Sequence, residues 1–312
     1  MNNSFHIVFA TDEQYLLPTF VATASAVSHA SRKKDLIVDI LDCGISDASW
    51  NQFVARSRRA LGEDFLLVRH KVDMARYSGF KLWHKSLGIY ARLAIQDFLS
   101  KEAEWCVYAD GDTLFTEDPF LLEDMFDSRY ALMGHLDSNG AETNAWYEKN
   151  GFSWNRKTYL CAGFILLNLA WARKNNLSKK LLEFIDSHRD VPMNDQDALN
   201  IICNDAKCAL PSGWGVFSCD AYWRESPCCI HYVGERAWEM PLLAPIFLPR
   251  TMRLWFWYAR TVARLGATEI APFFRTRYFL RFCVSRIMKL CFSILDKVPA
   301  LRGRYALALN RF

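Results

Sequence analysis

The sequence predicts an α/β fold in which helices flank a mostly parallel, mixed sheet, followed by a basic, aromatic, helical C-terminal region. Short apolar runs alternate with helical patterns through residues 5–203, and this alternation is typical of βαβ units with right-handed crossovers. Charge is distributed unevenly. Residues 246–312 carry thirteen basic and two acidic side chains, a net charge of +11, in a chain of net charge +4. Residues 1–245 therefore carry −7, and we expect two regions with different tasks.

Each predicted element follows from a local pattern of apolar residues and turn signals. FHIVFA, residues 5–10, is an apolar run that ends at a polar pair and favours a buried strand. The predicted strands cover 5–10, 36–42, 65–70, 105–110, 130–136 and 163–169. The predicted helices cover 16–29, 47–61, 85–98, 174–188 and 195–203. We expect the polar stretch 138–158 to form a mobile loop over a site, and the prolines between 241 and 249 to form a stiff linker.

The composition argues against several classes of protein. With 312 residues, 51% of them hydrophobic, the chain can bury a large core in one or two domains. Its ten cysteines include no C-x-x-C pair, which argues against a zinc module. The sequence shows no signal-peptide pattern and no apolar window of about 18 residues. We therefore expect a reduced, cytoplasmic compartment and no spanning helix.

Acidic side chains stand where two of the predicted strands end. Asp12 follows the first strand, and Asp110 and Asp112 follow the fourth, separated by Gly111. Because ligands of parallel sheets bind beyond the carboxyl ends of the strands, we expect these carboxylates to converge on one crevice. Two carboxylates at this spacing suit a hard divalent cation, Mn²⁺ or Mg²⁺. The alternatives are a solvated turn at Gly111 and a helix N-cap at Asp12.

Further motifs accompany this acidic pair in a fixed order. They are HIVFATDEQY, LDCGIS, GIYARL, YLCAGFILLNL, NDQDALN and IHYVGERAW. Together they resemble the family 8 glycosyltransferases over about residues 5–240, and most nearly the bacterial lipopolysaccharide α-galactosyl- and α-glucosyltransferases. The resemblance implies a GT-A fold over residues 1–245. It also implies Mn²⁺-dependent, configuration-retaining transfer of a hexose from UDP-glucose or UDP-galactose to a saccharide acceptor, either lipopolysaccharide or another lipid-linked glycan.

The resemblance also implies roles for individual residues. The positions that match metal ligands are Asp110, Asp112 and His231. The positions that match the uridine site are Ala10, Asp12 and Gln14. Gln14 stands where the family more often has asparagine. Without the other motifs, a lone histidine after an apolar pair is a core residue, and that is the alternative for His231.

A second set of positions matches the family's residues that bind the donor phosphates and the donor sugar. The donor-binding positions are His84, Arg92, Gly111, Gly234 and Arg236, and the catalytic positions are Asp195, Gln196 and Arg236. In the family, Asp195 corresponds to a residue that holds sugar hydroxyls and Gln196 to one beneath the anomeric carbon. Arg236 and Ala237 replace the family's lysine and proline, and Cys161 replaces an asparagine. Since a thiol is a poor hydrogen-bond partner, Cys161 predicts an altered sugar contact. The alternatives are a surface arginine at Arg92 and a helix N-cap at 194–195.

The C-terminal region combines arginines with aromatic residues. In RLWFWYARTVARL, Arg253, Arg260 and Arg264 fall near one helix face beside a run of aromatic side chains. Such a basic amphipathic pattern predicts that residues 250–298 bind an anionic membrane, at the inner face of the cell membrane. The alternative is a pair of helices packed on the body with solvated arginines. We expect no nucleic-acid partner, because no known binding module is present.

Two other functions remain as alternatives. A nucleotidyltransferase would need a glycine-rich, basic loop after the first strand, and ATDEQYLLP has none. A membrane-associated binder of sugar nucleotides would use the same fold without turnover, and Cys161 favours this alternative. Release of UDP from a UDP-sugar separates an enzyme from a binder.

Overall fold

The computed structural model describes residues 4–82, 86–137, 141–153, 155, 157–221, 226–234, 236–240 and 249–270. His84, the linker residues 241–248 and residues 271–298 of the predicted membrane-binding region lie outside the described residues. Within the described residues the predicted fold class is confirmed, because helices flank a mostly parallel mixed sheet.

The elements alternate as the sequence predicts. The strands are β1 (Phe5–Thr11), β2 (Leu36–Asp42), β3 (Leu66–Lys71), β4 (Trp105–Ala109), β5 (Thr113–Phe115), β6 (Leu132–Leu136), β7 (Leu160–Asn168), β8 (Lys207–Ala209), β9 (Val216–Phe217) and β10 (Cys229–His231). The α-helices are α1 (Leu16–His29), α2 (Asp47–Leu61), α3 (Ile95–Phe98), α4 (Ala141–Lys149), α5 (Leu169–Lys174), α6 (Leu177–Ser187), α7 (Asp195–Ile202), α8 (Arg250–Trp257) and α9 (Ala267–Ile270). Short 3₁₀ segments include Gly88–Ala94 and Ala237–Glu239, and a π-helical turn covers Tyr258–Val262.

The large sheet has seven strands in the order β3-β2-β1-β4-β7-β6-β8. β1 lies parallel to β2 over its whole length, from Phe5 opposite Leu36 to Thr11 opposite Asp42. The crossover helix α1, buried along most of its length, makes this parallel pairing possible. β7 pairs antiparallel with both β4 and β6. It therefore runs against the other six strands of this sheet.

Alternating side chains along the strands divide the core into two layers. In β1, Ile7 and Phe9 join the layer that contains α1, and Val8 joins the layer on the other face. All nine residues of β7 are buried. A continuous apolar run is expected of a central strand covered on both faces, and this places the start of β7 in the interior.

Two predicted helices differ from the observed elements. The helix predicted over 85–98 is instead the 3₁₀ segment Gly88–Ala94 followed by the single turn α3. Five consecutive residues, 90–94, are buried there, so these five residues have no solvent face. The helix predicted over 174–188 corresponds to α6, which begins three residues later at Leu177, after Asn176 in a left-handed conformation with φ 52°. The shorter α5 ends at Lys174, where the predicted helix begins. The predicted loop 138–158 contains the helix α4.

The C-terminal residues 249–270 pack against the rest of the chain. Met252 and Trp255 are fully buried in the same layer as α1. The Tyr258 hydroxyl lies 2.6 Å from His29 Nε2, near the end of α1. The aromatic side of this segment is therefore part of the core, as the packed-helix alternative expects. Among the residues that the structure describes, no helix combines the length and apolar character needed to cross a membrane.

Candidate active site

The candidate site lies at the edge of the large sheet where β1, β4 and β6 end. Because β7 runs in the opposite direction, its first residues lie at this same edge. Asp12 follows β1, Asp110 follows β4, and Cys161 is the second residue of β7. The expectation that strand-end carboxylates share one edge is met by this topology.

The glycine between the two aspartates is required by a close approach of α1. A methyl group at Gly111 would lie 2.2 Å from the Thr19 hydroxyl oxygen, far inside van der Waals contact. The turn is held from the other side by a hydrogen bond from the Asp110 amide to the Gly163 carbonyl, 2.8 Å long. Any larger residue at position 111 would push the acidic pair away from α1. The turn is therefore tightly packed, and the alternative of a solvated turn does not describe it.

A small three-stranded sheet brings His231 to the acidic pair. β10 pairs antiparallel with β5, so that His231 lies opposite Thr113, the residue after Asp112. The next residue strengthens this register, because the Tyr232 amide donates to the Asp112 carbonyl at 2.9 Å. His231 Nε2 lies 3.3 Å from Asp112 Oδ1 and 3.6 Å from Asp110 Oδ2.

The donor set of these three residues fits a divalent cation. One ligand atom from each of Asp110, Asp112 and His231 lies within 4.8 Å of the other two. Asp112 Oδ1 is buried and accepts no hydrogen bond, although it contacts the imidazole. A buried carboxylate oxygen without a donor is costly, and a cation between the side chains would satisfy it. Two carboxylates and one imidazole are the ligand types that Mn²⁺ accepts.

Charge around His231 favours its protonated form. Burial alone would lower the pKa of the imidazole, but Asp112 and Cys161 together raise this pKa well above its usual value. On its other side, Nδ1 lies 3.8 Å from Cys161 Sγ. Since an imidazole must be deprotonated to bind a metal, binding of a cation here would release a proton from His231.

Arg92 links the acidic pair to the second half of the site. The side chain is 6% exposed, so it is not the surface arginine of the alternative. Its guanidinium lies 2.8 Å from Asp110 Oδ1 and 3.1 Å from Asp195 Oδ2, and it donates to the Ala162 carbonyl at 2.8 Å. Burial alone would lower the pKa of this guanidinium, but Asp110 and Asp195 raise it. Arg92 is therefore a buried cation that orients two carboxylates.

Asp195 and Gln196 begin α7 and face this same interior. Burial raises the pKa of Asp195 to about 6, although Arg92 lowers it. Gln196 Oε1 accepts a hydrogen bond from the Ala162 amide at 3.0 Å. Asn194, which precedes them, has φ 50° and ψ −118°, and its side chain does not cap α7. Such a strained backbone at a non-glycine residue is typical of functional sites.

The three residues that match the uridine site lie at the end of β1. Asp12 Oδ1 accepts hydrogen bonds from the amides of Gln14 and Tyr15, at 3.0 and 3.1 Å. Its second oxygen accepts from the Ser86 hydroxyl at 2.9 Å. Ala10 is partly exposed and Gln14 exposed. Asp12 therefore shapes the turn before α1, as the capping alternative expects, while it stays partly open to solvent.

Gly234 and Arg236 follow β10, the strand that ends at His231. Gly234 has φ 72°, a backbone conformation that favours glycine. Arg236 Nη1 lies 3.1 Å from Glu239 Oε1. Burial raises the pKa of the nearby Tyr15 hydroxyl, with Asp112 raising it further and Arg236 opposing the effect. Arg236 and Asp112 therefore act electrostatically on the same hydroxyl.

The structure adds three residues that the sequence reasoning missed. Asp137 follows β6 at the site edge and accepts a hydrogen bond from Gln196 Nε2 at 3.1 Å. The Tyr108 hydroxyl donates to Asp110 Oδ1 at 2.6 Å, and the Tyr159 hydroxyl accepts from Gln196 at 3.2 Å. Asp137 obeys the strand-end rule that selected Asp12 and Asp110. Tyr108 lies two residues before Asp110, on the same face of the chain.

Solved structures of other proteins define the class of fold. The galactosyltransferase LgtC, in complex with donor and acceptor sugar analogs, matches with a TM-score of 0.69 and 22% identity. That match covers 85% of this chain and 98% of LgtC. The bifunctional glycosyltransferase WbbM matches with a TM-score of 0.71 and 18% identity, and the match covers 87% of this chain and 52% of WbbM. The fold is that of the GT-A glycosyltransferases.

Sequence comparison then defines the family. A model of glycosyl transferase family 8 matches residues 6–240, and the chain belongs to this family. General stress protein A of Bacillus subtilis (strain 168) is 24% identical over 261 residues, which cover 75% of this chain and 87% of that protein. The protein is therefore a glycosyltransferase, as the resemblance implied. Its family implies a sugar-nucleotide donor, a glycan acceptor and a divalent metal. This assignment to the glycosyltransferases replaces the two alternatives, a nucleotidyltransferase and a binder of sugar nucleotides.

Proposed function

We propose that this glycosyltransferase moves a hexose from UDP-glucose or UDP-galactose to a hydroxyl of a lipid-linked saccharide such as lipopolysaccharide, with retention of configuration. The observation that supports this proposal most directly is the cluster of Asp110, Asp112 and His231. These residues come from distant parts of the chain, and one ligand atom of each lies within 4.8 Å of the others. We further propose that residues 1–245 form the catalytic domain and that residues 246–312 associate with a membrane.

The donor would lie along the site edge. We assign the uridine to Ala10, Asp12 and Gln14, and the diphosphate to the other end of the edge. The diphosphate partners in this proposal are His84, Gly111, Gly234 and Arg236, together with the metal ligands Asp110, Asp112 and His231. Mn²⁺, or Mg²⁺ in its place, would act as a Lewis acid toward the charge that grows on the leaving phosphate.

Protein groups would stabilise the same charge and hold the sugar. Arg236 supplies a cation on the phosphate side. The buried Arg92 keeps Asp110 and Asp195 in place through its two ion pairs. Asp195 would accept hydrogen bonds from sugar hydroxyls, and the Gln196 carboxamide would lie beneath the anomeric carbon.

Transfer would proceed on one face of the sugar. The bond from the anomeric carbon to the phosphate oxygen breaks, and a bond to the acceptor oxygen forms on that same face. The acceptor's proton passes to the leaving phosphate, so UDP and the extended glycan are the products. The sequence offers no carboxylate in an unambiguous nucleophile position. This favours direct transfer over a covalent glycosyl-enzyme intermediate.

UDP release measured with and without Mn²⁺ tests the donor and the metal. UDP-glucose and UDP-galactose would be compared in a panel of UDP-sugars, with lipid-linked saccharides as acceptors. We expect Mn²⁺-stimulated release from one of the two, and we expect Asp112→Ala to abolish both the release and the stimulation. Asp124→Ala, at an exposed carboxylate, serves as the control. Full activity of Asp112→Ala, or turnover indifferent to divalent cations, would contradict the metal proposal.

The proposed membrane surface begins on the exposed side of α8 and the turn after it. Arg250, Arg253, Arg260 and Arg264 are exposed, and Trp257 among them is 52% exposed. The spacing of Arg250, Arg253 and Trp257 places these three on one stripe of α8, whereas Arg260 lies in the π-helical turn that follows and Arg264 beyond it. Each arginine contributes about 1 kcal/mol at an anionic surface, and the indole suits the interface between headgroups and acyl chains.

The membrane proposal is tested with the full chain, because truncation before Met252 would remove core residues. We expect Arg253→Gln with Arg260→Gln to reduce co-sedimentation with phosphatidylglycerol vesicles several-fold. The same number of charges is removed elsewhere in the control, Arg129→Gln with Lys179→Gln, both at exposed side chains. Equal retention of both variants, or equal binding to neutral phosphatidylcholine vesicles, would exclude this surface.

A further inference from the structure

We propose that Tyr159 is a positioning residue whose hydroxyl, held by Asp197, fixes the orientation of the Gln196 carboxamide. The inference rests on the proposed function, in which Gln196 lies beneath the anomeric carbon. Neither Tyr159 nor Asp197 needs to touch the substrate for this role, and their side chains are 1% and 0% exposed.

Hydrogen bonds determine which way the Gln196 amide points. Its Oε1 faces the amide of Ala162 at 3.0 Å, and a backbone N–H can only donate. Its Nε2 lies 3.1 Å from Asp137 Oδ2, and an ionised carboxylate can only accept. The third contact, from Nε2 to the Tyr159 hydroxyl at 3.2 Å, uses the second amide proton. All three contacts therefore agree on one orientation, with Oε1 toward β7.

The Tyr159 hydroxyl has a fixed direction as well. It lies 2.7 Å from Asp197 Oδ1 and donates its single proton to that oxygen. It can therefore only accept from Gln196. Met193 holds the other Asp197 oxygen through its amide, 2.7 Å away. The result is a chain of hydrogen bonds in one sense, from Gln196 through Tyr159 to the buried carboxylate.

A second tyrosine makes the same contact with Asp197 but does not reach Gln196. The Tyr147 hydroxyl, on α4, donates to Asp197 Oδ1 at 3.2 Å. The two rings contact each other edge to face, with centroids 6.5 Å apart. Removing either hydroxyl takes one donor from the same carboxylate oxygen, and we expect the two losses to lower folding stability by similar amounts. Only the Tyr159 hydroxyl also holds the amide.

The matched variants Tyr159→Phe and Tyr147→Phe separate positioning from stability. We expect Tyr159→Phe to lower kcat for UDP release by about 10- to 100-fold, the cost of a displaced group at the reacting centre. KM for the donor changes by less than about twofold, because a misplaced amide affects the transition state more than binding. Tyr147→Phe loses similar stability and keeps kcat. Equal kcat values for the two variants would overturn the inference while leaving the proposed function intact.

A measurement without substrate tests the same contact. The sequence holds four glutamines, so the side-chain amide of Gln196 can be assigned in ¹⁵N spectra by comparison with Gln196→Met. In the wild type and in Tyr147→Phe we expect both Nε2 protons to exchange slowly with solvent. In Tyr159→Phe one proton loses its acceptor and exchanges faster. Unchanged protection in Tyr159→Phe would overturn the inference, whichever donor the enzyme uses.

Discussion

The backbone of Gly163 runs directly against the imidazole of His231. A methyl group on Gly163 would lie 2.1 Å from His231 Cε1 and 2.8 Å from Asp110 Oδ2. His231 is 5% exposed and lies in β10, so it has little room to move away. The absence of a side chain at Gly163 is therefore what allows β7 and the proposed metal ligands to share this space.

Gly163→Ala should weaken binding of divalent cations. We expect the added methyl to displace His231 from Asp110, with a loss of Mn²⁺ affinity of about 10- to 100-fold and of about 1–3 kcal/mol in stability. Calorimetric titration of Mn²⁺ measures the affinity. Gly266→Ala is the control, because its methyl would approach Glu269 Oε2 only to 3.4 Å. An unchanged Mn²⁺ affinity in Gly163→Ala would show that His231 is not a ligand.

Arg92→Met should destabilise the fold strongly. The change leaves the carboxylates of Asp110 and Asp195 without their buried cation, which costs about 3–5 kcal/mol. Urea denaturation measures the loss. In the control Arg76→Met, a half-exposed pair with Asp97 at 3.5 Å is removed, and we expect about 0.5 kcal/mol or less. If both variants lose the same free energy, Arg92 does not hold the two halves of the site together.

Asp39→Asn should lower stability in a pH-dependent way. Asp39, buried in β2, contacts His6 Nδ1 at 2.8 Å and His70 Nε2 at 2.7 Å. Burial alone would raise the pKa of Asp39, but these two histidines hold it below the usual 3.8. The stability from this carboxylate is therefore present above pH 3.8 and is lost as the pH falls through the lower, folded-state pKa.

We expect Asp39→Asn to cost about 2 kcal/mol at pH 7, because an amide cannot accept from both rings. Denaturant unfolding of both proteins between pH 7 and pH 3 should show the difference shrinking at the acid end. Asp64→Asn, at an exposed carboxylate, should leave stability unchanged. A difference that stays constant with pH would mean that the charge of Asp39 is not involved.

Trp255→Ala and Trp257→Ala should differ sharply in stability. Trp255 is fully buried against Trp238, with ring centroids 6.0 Å apart, whereas Trp257 is 52% exposed. Loss of the buried indole costs about 3–5 kcal/mol, and loss of the exposed one costs little. Thermal unfolding of the full chain measures both. Equal melting temperatures would show that α8 does not contribute to the core.

Much of the fold could be predicted because the pattern of each strand and helix is local. β1 and β2 were predicted to within one residue at each end, and the α/β class followed from their alternation with helices. The structure of segment 85–98 could not be predicted from its local pattern of apolar residues. Its residues 90–96 are all buried, so they carry no amphipathic period, and the structure has a 3₁₀ segment over Gly88–Ala94.

In the candidate site, too, local features could be predicted and contacts between distant segments could not. Asp12, Asp110 and Asp112 were found because a strand end is visible in the sequence, and the same rule would have found Asp137. The partners of Gln196 and Arg92 were not found, since hydrogen bonds between distant segments leave no local pattern. The sequence alone leaves a surface position open for Arg92, because its burial depends on the packing of β7 and α7 around it.

By itself, then, the sequence determined the α/β class, the family motifs and the carboxylates at the strand ends. Only the tertiary structure decided that His231 lies opposite Thr113, that the antiparallel β7 brings Gly163 beneath its imidazole, and that α8 buries its aromatic side. The physical reason is that periodicity and turn chemistry act between neighbours in the chain. Strand register and close backbone contact depend on which segments meet, and that is settled only when the whole core packs.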